Sequence, residues 1–366
     1  MKIAMIGQKG IPAQYGGVER IVEQLSLALA NKGHELFVYT RSYYTPKQQT
    51  SFHNVHLKSI PSIHTKHLDT ISHTFLSTMH ALTQDFDVIH YHSVGPALLS
   101  WIPRLLKPRT KIVIDFQSQD KLHQKWGWLA RKVLSLGERA SLMFGDVATV
   151  PTKVMQQYAK KKFGKEPIVV PNGIPTFLPD TAKHIRKKFD LEPKSYFIII
   201  SRLVPHKGIH YTIEAYTQLK TDKKLVIVGD GVFTDEYVQK LKKLAAGNKN
   251  IIFTGWQSGK ILQELIDSAY LYIQPSESEG MSLSLLEAAA YGTPILVSDI
   301  PENTAIFSAP TLHFKNKNSA DLKAKIEYAL ANEEQLMSLA AQTKKEVETK
   351  YQWEKIATQL EMIYKQ

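Results

Sequence analysis

The chain has 366 residues, of which 43% are hydrophobic and 22% charged, and its formal net charge is +12. That length exceeds what one hydrophobic core usually supports, so two domains are expected. Absence of cysteine excludes disulfides and thiolate chemistry and suits a cytosolic protein; no run of eighteen apolar residues marks a membrane span, and the opening MKIAMIGQKG lacks the apolar region and cleavage site of a secretion signal. The charge is unevenly spread. Residues 1–176 carry 22 Lys and Arg against 11 Asp and Glu, whereas residues 177–366 carry 24 against 23. Such a field favours an anionic partner for the first half, whether a phosphorylated ligand, an acidic membrane surface or nucleic acid, or it serves solubility alone.

KIAMIG at the start is a short apolar run, followed by a loop holding Gly10, Pro12, Gly16 and Gly17. Val18, Ile21, Val22, Leu25 and Leu29 then recur at helical spacing until Gly33. ELFVYT, VHLKSI, DVIHYH, KIVIDF, DVATV and IVVPN read as the later strands of a first cycle. PNGIPTFLPD, 171–180, is dense in Pro and Gly and reads as a linker. A second cycle begins at YFIIIS and continues through LVIVGDG, IIFTGW, LYIQPS and PILVS, and the segment from about Ser338 to Lys365 is helical and charged. Strands alternating with helices predict an α/β protein of two Rossmann-like, doubly wound domains facing a cleft: 1–175 and 176–349. Ligands of such sheets bind beyond the carboxyl ends of the strands.

Several loops at those ends carry chemistry. In SESEGMSLSLLEAAAYG, Glu279 lies in the loop after LYIQPS, and Glu287, eight positions on, lies in the helix that begins near Ser282. A carboxylate among leucines and alanines is costly unless paired or hydrogen-bonded. Ribose or sugar hydroxyls would satisfy the two acids, with the helix N-terminus free for a phosphate; a basic partner for Glu287 and water for Glu279 would serve equally. In SRLVPHKG, Arg202 and Lys207 follow a strand and suit a diphosphate, or form an ordinary solvated loop. GQKGIPAQYGG, 7–17, is either a phosphate-approaching loop or a structural turn. It is not G-x-G-x-x-G, and the second strand ends without an acid for a ribose, so a dinucleotide site is disfavoured.

Three further patterns weigh less. DFD, 85–87, has the form of a metal-holding D-x-D but precedes its strand, at the wrong end of the sheet. His90 and His92 share a strand face with no third metal ligand evident, and His92 is a candidate cleft residue. KLHQKWGWLARK, 121–132, suits a nucleic-acid surface, an amphipathic helix with Trp126 and Trp128 at a membrane, or an ordinary packed helix.

Together these loops resemble the GT-B glycosyltransferases of family 4, and the resemblance spans essentially the whole chain. It is carried by the E-x7-E of Glu279 and Glu287, with SRLVPHKG, VVPNGI, VGDG and FTGW in order. GQKGIPAQYGGVERIVEQL with GHELFVYT is similar to bacterial members that build surface polysaccharides, rhamnosyltransferase-like ones included. The resemblance implies a retaining transfer of a hexose or deoxyhexose from a nucleoside-diphosphate sugar, without a metal or other cofactor, to a saccharide or lipid-linked saccharide. Nucleotide-sugar epimerase and weakly catalytic binding protein are the alternatives. Arg202 and Lys207 would hold the diphosphate, Glu287 the ribose and Glu279 the donor sugar. Gly280, Met281, Ser282 and Leu283 would meet sugar and phosphate, Trp256 the base, and Gly16 and Gly17 the phosphate or acceptor. Arg202, Lys207 and Glu279 would be catalytic. His92, Gln117 and Asp120 are acceptor-side candidates. The last helix, about 350–366, would return to the first domain. The enzyme would be cytoplasmic, in peripheral contact with an anionic membrane at its inner face, and would bind no nucleic acid. One departure stands out: many members carry a His facing the reacting sugar where IVIDFQSQD places Gln117, with Asp120 retained. Gln117 then fills a polar role, His123 substitutes, or activity is reduced, since an amide takes no proton near neutral pH.

Overall fold

The computed structural model describes residues 1–65, 68–118, 128–174, 183–231 and 234–366. The chain forms two compact units, Met1–Pro175 with Tyr351–Gln366, and Thr176–Lys350. The first holds β1 (Lys2–Ile6), β2 (Glu35–Arg41), β3 (Ser51–Phe52), β4 (Val55–Ile60), β5 (Val88–His92), β6 (Lys111–Asp115), β7 (Val147–Val150) and β8 (Ile168–Val169). They form one sheet in the order β3-β4-β2-β1-β5-β6-β7-β8, parallel except for the β3–β4 pair. Apolar runs such as KIAMI and VIHYH suit strands covered on both faces.

Crossovers between parallel strands are right-handed, so the direction of travel along the sheet decides which face a helix covers. The helix Gly17–Asn31 connects β1 to β2, while Asp69–Leu82, Trp101–Leu106 and Trp128–Met143 follow connections that run the opposite way along the sheet. The latter three therefore lie together on the other face.

The final helix, Trp353–Lys365, packs beside Gly17–Asn31. Ile174 N–H donates to Tyr351 O at 2.6 Å, and Gln359 Nε2 donates to Val169 O at 2.8 Å. The Tyr364 hydroxyl meets His90 Nδ1 at 2.8 Å. Trp353 is buried against Gly173, where a Cβ would stand 2.6 Å from the indole.

The second unit holds β9 (Tyr196–Ile200), β10 (Lys224–Val228), β11 (Ile251–Gly255), β12 (Leu271–Gln274), β13 (Ile295–Ser298) and β14 (Leu312–Phe314), all parallel, in the order β11-β10-β9-β12-β13-β14. Its core joins Phe197, Ile199, Leu225, Ile227, Leu271 and Ile273 to helix residues such as Ile213 and Leu322. The sequence pattern gives no sign of β3 or β14, because strands of two and three residues are too short to show a period. The charged C-terminal stretch is two helices, Glu333–Lys350 in the second unit and Trp353–Lys365 in the first.

Trp353→Ala is expected to lower the unfolding free energy of the first unit by about 3–5 kcal/mol, the usual cost of truncating a buried aromatic. Denaturant titration followed by amide exchange in β1 and β5 would check it; unchanged protection there would show that the last helix does not brace this sheet.

Candidate active site

In the second unit the chain runs from β9 to β10 to β11 and then returns to place β12 on the other side of β9. Successive crossovers diverge at that reversal, so a crevice opens beyond the carboxyl ends of β9 and β12. The loop after β9 carries Arg202 and the short 3-10 turn Pro205–Lys207; the loop after β12 carries Glu277 and Glu279. The two loops touch through the backbone. Glu277 N–H donates to His206 O at 2.8 Å. Gly208 has φ +66°, and a Cβ there would lie 1.9 Å from Pro275 O, so this crossing admits only glycine.

Lys207 Nζ donates to Glu279 Oε1 at 2.5 Å, and Ser276 Oγ donates to the same oxygen at 2.6 Å. These side chains are 16% and 8% exposed. Arg202 is exposed, and its guanidinium has no hydrogen bond or ion pair among the described residues. Glu277 is held by the Tyr211 hydroxyl at 3.0 Å and Lys317 Nζ at 2.9 Å. Burial, then the Glu277 carboxylate, pushes the Tyr211 phenol up to about 12.

Gly280 and Met281 are buried and lead into the helix Leu283–Tyr291, whose N-cap is Ser282; its Oγ accepts from Leu285 N–H at 3.4 Å. Glu287 lies on this helix, 3% exposed. Behind the loop runs a buried polar chain that sequence reading missed. The Tyr272 hydroxyl meets Gln274 Oε1 and Ser284 Oγ, Gln274 Nε2 donates to Asn303 Oδ1 at 2.6 Å, and Asn303 Nδ2 donates to Ser298 Oγ at 2.9 Å. Ser298 Oγ in turn donates to Ser276 O at 2.5 Å. The signal available was a polar residue ending each buried strand, Gln274 on β12 and Ser298 on β13.

Glu302 was also missed. It lies on the single turn Pro301–Thr304 after β13. Burial first, and then the Glu279 charge, raise its carboxyl above the usual range, the latter acting against a backbone hydrogen bond. Trp256, 43% exposed, follows the edge strand β11, two strands from β9.

The first unit has its own reversal, between β1 and β5. Gly16, at φ +105°, and Gly17 begin the helix Gly17–Asn31, and a Cβ on Gly17 would meet nothing within 4 Å. Several amides of this loop already have acceptors in the protein. Lys9 N–H donates to Glu19, Ala13 N–H to Glu23, and Gln14 and Tyr15 N–H to the Tyr44 hydroxyl.

His92 is fully buried, with Nδ1 3.5 Å from Asp115 Oδ2, so its ring does not face solvent as a cleft residue would. Gln117, 9% exposed, donates through Nε2 to Asp115 Oδ2 at 2.6 Å and accepts from Asn172 Nδ2 at 3.3 Å. Asp120, His123 and Trp126 lie outside the described residues.

Asp115 of β6 also stands where the sequence showed no third ligand for the histidines: atoms of His90, His92 and Asp115 lie within 4.8 Å of one another. Gln117 and Thr149, which donates at 3.2 Å, account for the Asp115 carboxylate without an ion. Burial, reinforced by His92, holds the His90 ring well below its ordinary pKa. The D-x-D serves the other end of the sheet. Asp87 accepts from Lys2 N–H at 2.6 Å, and Asp85 pairs with Lys107 at 3.3 Å.

Residues 15–177 match the model described as Glycosyltransferase Family 4, and residues 181–346 the model described as Glycosyl transferases group 1. The chain is 24% identical to the O-antigen chain mannosyltransferase C of Escherichia coli over 84% of its own length and 82% of that protein. It is 25% identical to the alpha-monoglucosyldiacylglycerol synthase of Streptococcus pneumoniae, over 82% and 72% of the two chains. Among solved structures, HepE of Anabaena in complex with UDP-glucose superposes with a TM-score of 0.82 at 17% identity, covering 99% of each chain. With matching models on both units and the two parallel sheets of the GT-B fold, the chain belongs to the group 1 and family 4 glycosyltransferases.

Proposed function

We propose that the enzyme transfers a hexose or deoxyhexose from a nucleoside-diphosphate sugar to a hydroxyl of a lipid-linked saccharide in bacterial surface polysaccharide synthesis, retaining the anomeric configuration and requiring no metal. The observation that carries the donor half is the Lys207–Glu279 pair where the loops after β9 and β12 meet, with Arg202 exposed on the first of these loops and the capped Leu283–Tyr291 helix following the second. As the sugar–phosphate bond breaks, negative charge builds on the departing diphosphate. Arg202, Lys207 and the helix N-terminus would stabilise it, a role that a divalent ion fills in other transferases; such donors are typically worth about 3–4 kcal/mol each. Glu287 would accept from the ribose, Glu279 from the donor sugar, and Gly280 to Leu283 would present backbone to both. Trp256 would flank the base, and Gly16 and Gly17 would face the phosphate or acceptor. In a same-face transfer the acceptor oxygen bonds to the anomeric carbon while its proton passes to the leaving phosphate oxygen, so no protein nucleophile is needed. The acceptor half draws on the relatives, one of which extends O-antigen and another of which builds a glucosyl lipid. No helix among the described residues is long and apolar enough to cross a membrane; in this reading contact with a lipid acceptor is peripheral and favoured by the positive first unit.

Calorimetry with UDP, GDP, dTDP and their sugars, in chelator and then in Mg²⁺, is expected to find one nucleotide series that binds equally in both. Glu287→Ala should weaken that series at least tenfold, about 1.4 kcal/mol or more. A folded wild type that binds none of them overturns the donor site, and dependence on Mg²⁺ overturns its metal-free character. NMR of the first product would report the anomer.

The Lys207–Glu279 pair yields a sharper expectation. Glu279→Gln frees the ammonium from its carboxylate, so inorganic pyrophosphate should bind several-fold more tightly, while the nucleotide sugar gains less or loses affinity. Pyrophosphate binding that is unchanged or weaker would show that Lys207 does not meet the diphosphate.

A further inference from the structure

We infer that the helices Asp69–Leu82, Trp101–Leu106 and Trp128–Met143 form a surface that docks on an anionic lipid bilayer, an inference that gives a place to the membrane contact in the lipid-linked acceptor reading above. The first observation is concentration. These three helices make up about a tenth of the chain, yet carry ten of the nineteen exposed large apolar side chains among the described residues. Soluble proteins scatter such residues singly, and a contiguous apolar face marks an interaction site.

The second observation is orientation. In Asp69–Leu82 the buried positions are His73, Thr74, Ser77, Thr78 and Ala81, whereas Phe75 and Met79 point outward. A surface helix facing water does the reverse. Trp128–Met143 behaves alike. Glu138 is buried, where Lys162 and Tyr158 bond it, while Leu136 is 59% and Trp128 70% exposed. Leu105 on Trp101–Leu106 is also 70% exposed.

The third observation is charge, and it selects the occupant. The only acids on the three helices are Asp69, paired with Arg41, and the buried Glu138, so no unpaired carboxylate looks out from them. Among the described side chains of these helices the exposed ionisable ones are basic: Arg104, which also reaches Asp146, and Lys132 and Arg139. Lys132 lies over the Trp128 ring at 4.8 Å, an aromatic–cation pair of the kind that sits at a headgroup boundary. Apolar side chains among cations, without exposed acids, match a layer that is apolar inside and anionic at its surface.

Flotation with vesicles of phosphatidylcholine alone, and of phosphatidylcholine mixed with phosphatidylglycerol, tests this on the full-length protein. The wild type should float with the anionic vesicles, much less with the neutral ones, and less as salt is raised. Leu105→Glu with Leu136→Glu should weaken vesicle binding roughly tenfold or more, and Lys132→Gln with Arg139→Gln, a pair of solvent-exposed changes that a folded protein tolerates, should weaken it several-fold. Nucleotide affinity and melting temperature should be unchanged in both pairs. No flotation of the wild type, or flotation that neither pair alters, overturns the proposal. So does a wild-type dimer, seen by light scattering without lipid, that Leu105→Glu with Leu136→Glu dissolves, because the face then joins two copies. Vesicle binding without nucleotide binding would leave this surface standing while the donor site falls, and the converse would remove only this surface.

Discussion

The adjacency of β9 and β12 is the constraint on which the candidate donor site rests. Crossover helices fill the space between strands that succeed one another, but nothing fills it where the order reverses. Two loops far apart in sequence therefore meet, and their meeting is fixed by backbone: Glu277 N–H on His206 O, and Gly208 against Pro275 O. Lys207 and Glu279 inherit that proximity. Desolvating such a pair costs several kcal/mol, which mutual attraction and the Ser276 hydrogen bond have to offset. A well-packed apolar pair would often be as stable. In the proposed function the pair holds two charges until ligand groups of matching charge and hydrogen-bonding capacity replace each for the other.

What the sequence made legible follows from the same geometry. An apolar run such as YFIIIS announces a buried parallel strand, and the charged residue just beyond it is placed by the fold rule at the sheet's functional edge. Arg202, Lys207 and Glu279 were readable in this way, and so was the misplacement of Asp85 and Asp87, which precede their strand. Pairings across the sheet were not readable. Glu302 feels Glu279 because β13 lies beside β12, and Asp115 reaches His92 because β6 lies beside β5 in a register that opposes these two residues. Strand order and register are properties of the whole sheet, and no local spacing encodes them. The polar chain from Tyr272 to Ser298 was hidden for a related reason: its members come from β12, β13, a helix and a turn, and only assembly makes them a hydrogen-bonded support.

The two units divide the physical work unequally. The second is almost neutral, and besides the charged residues of its helices it holds Arg202, Lys207, Glu277 and Glu279 in the loops after β9 and β12. The first carries nearly all the excess charge and turns polar helix faces inward. In the inward stripe of Asp69–Leu82 the Thr78 hydroxyl meets the Tyr91 hydroxyl of β5 at 2.8 Å, whereas Ser77 Oγ is buried with no hydrogen-bond partner among the described residues. Ser141 likewise returns its hydroxyl to Gly137 O at 2.8 Å. A helix whose polar side faces the sheet leaves its apolar side outward, and in the proposed docking the surrounding cations select an anionic phase.

Gln117 bears on the chemistry in the same manner. Both ends of its amide are engaged: the nitrogen donates to Asp115, and the oxygen accepts from Asn172. Asp115 is held in turn by Thr149 and approached by His92. An amide engaged at both ends neither takes a proton nor turns to offer one, and Gln117 here holds the buried Asp115 carboxylate in place. His92 lies behind it, out of solvent, and does not replace it at the surface. In the proposed transfer this leaves the acceptor proton to the departing phosphate oxygen, whose basicity grows as the sugar leaves. The task that then remains for the protein is to stabilise the charge still spread over that diphosphate, the role proposed for Arg202, Lys207 and the start of the Leu283–Tyr291 helix.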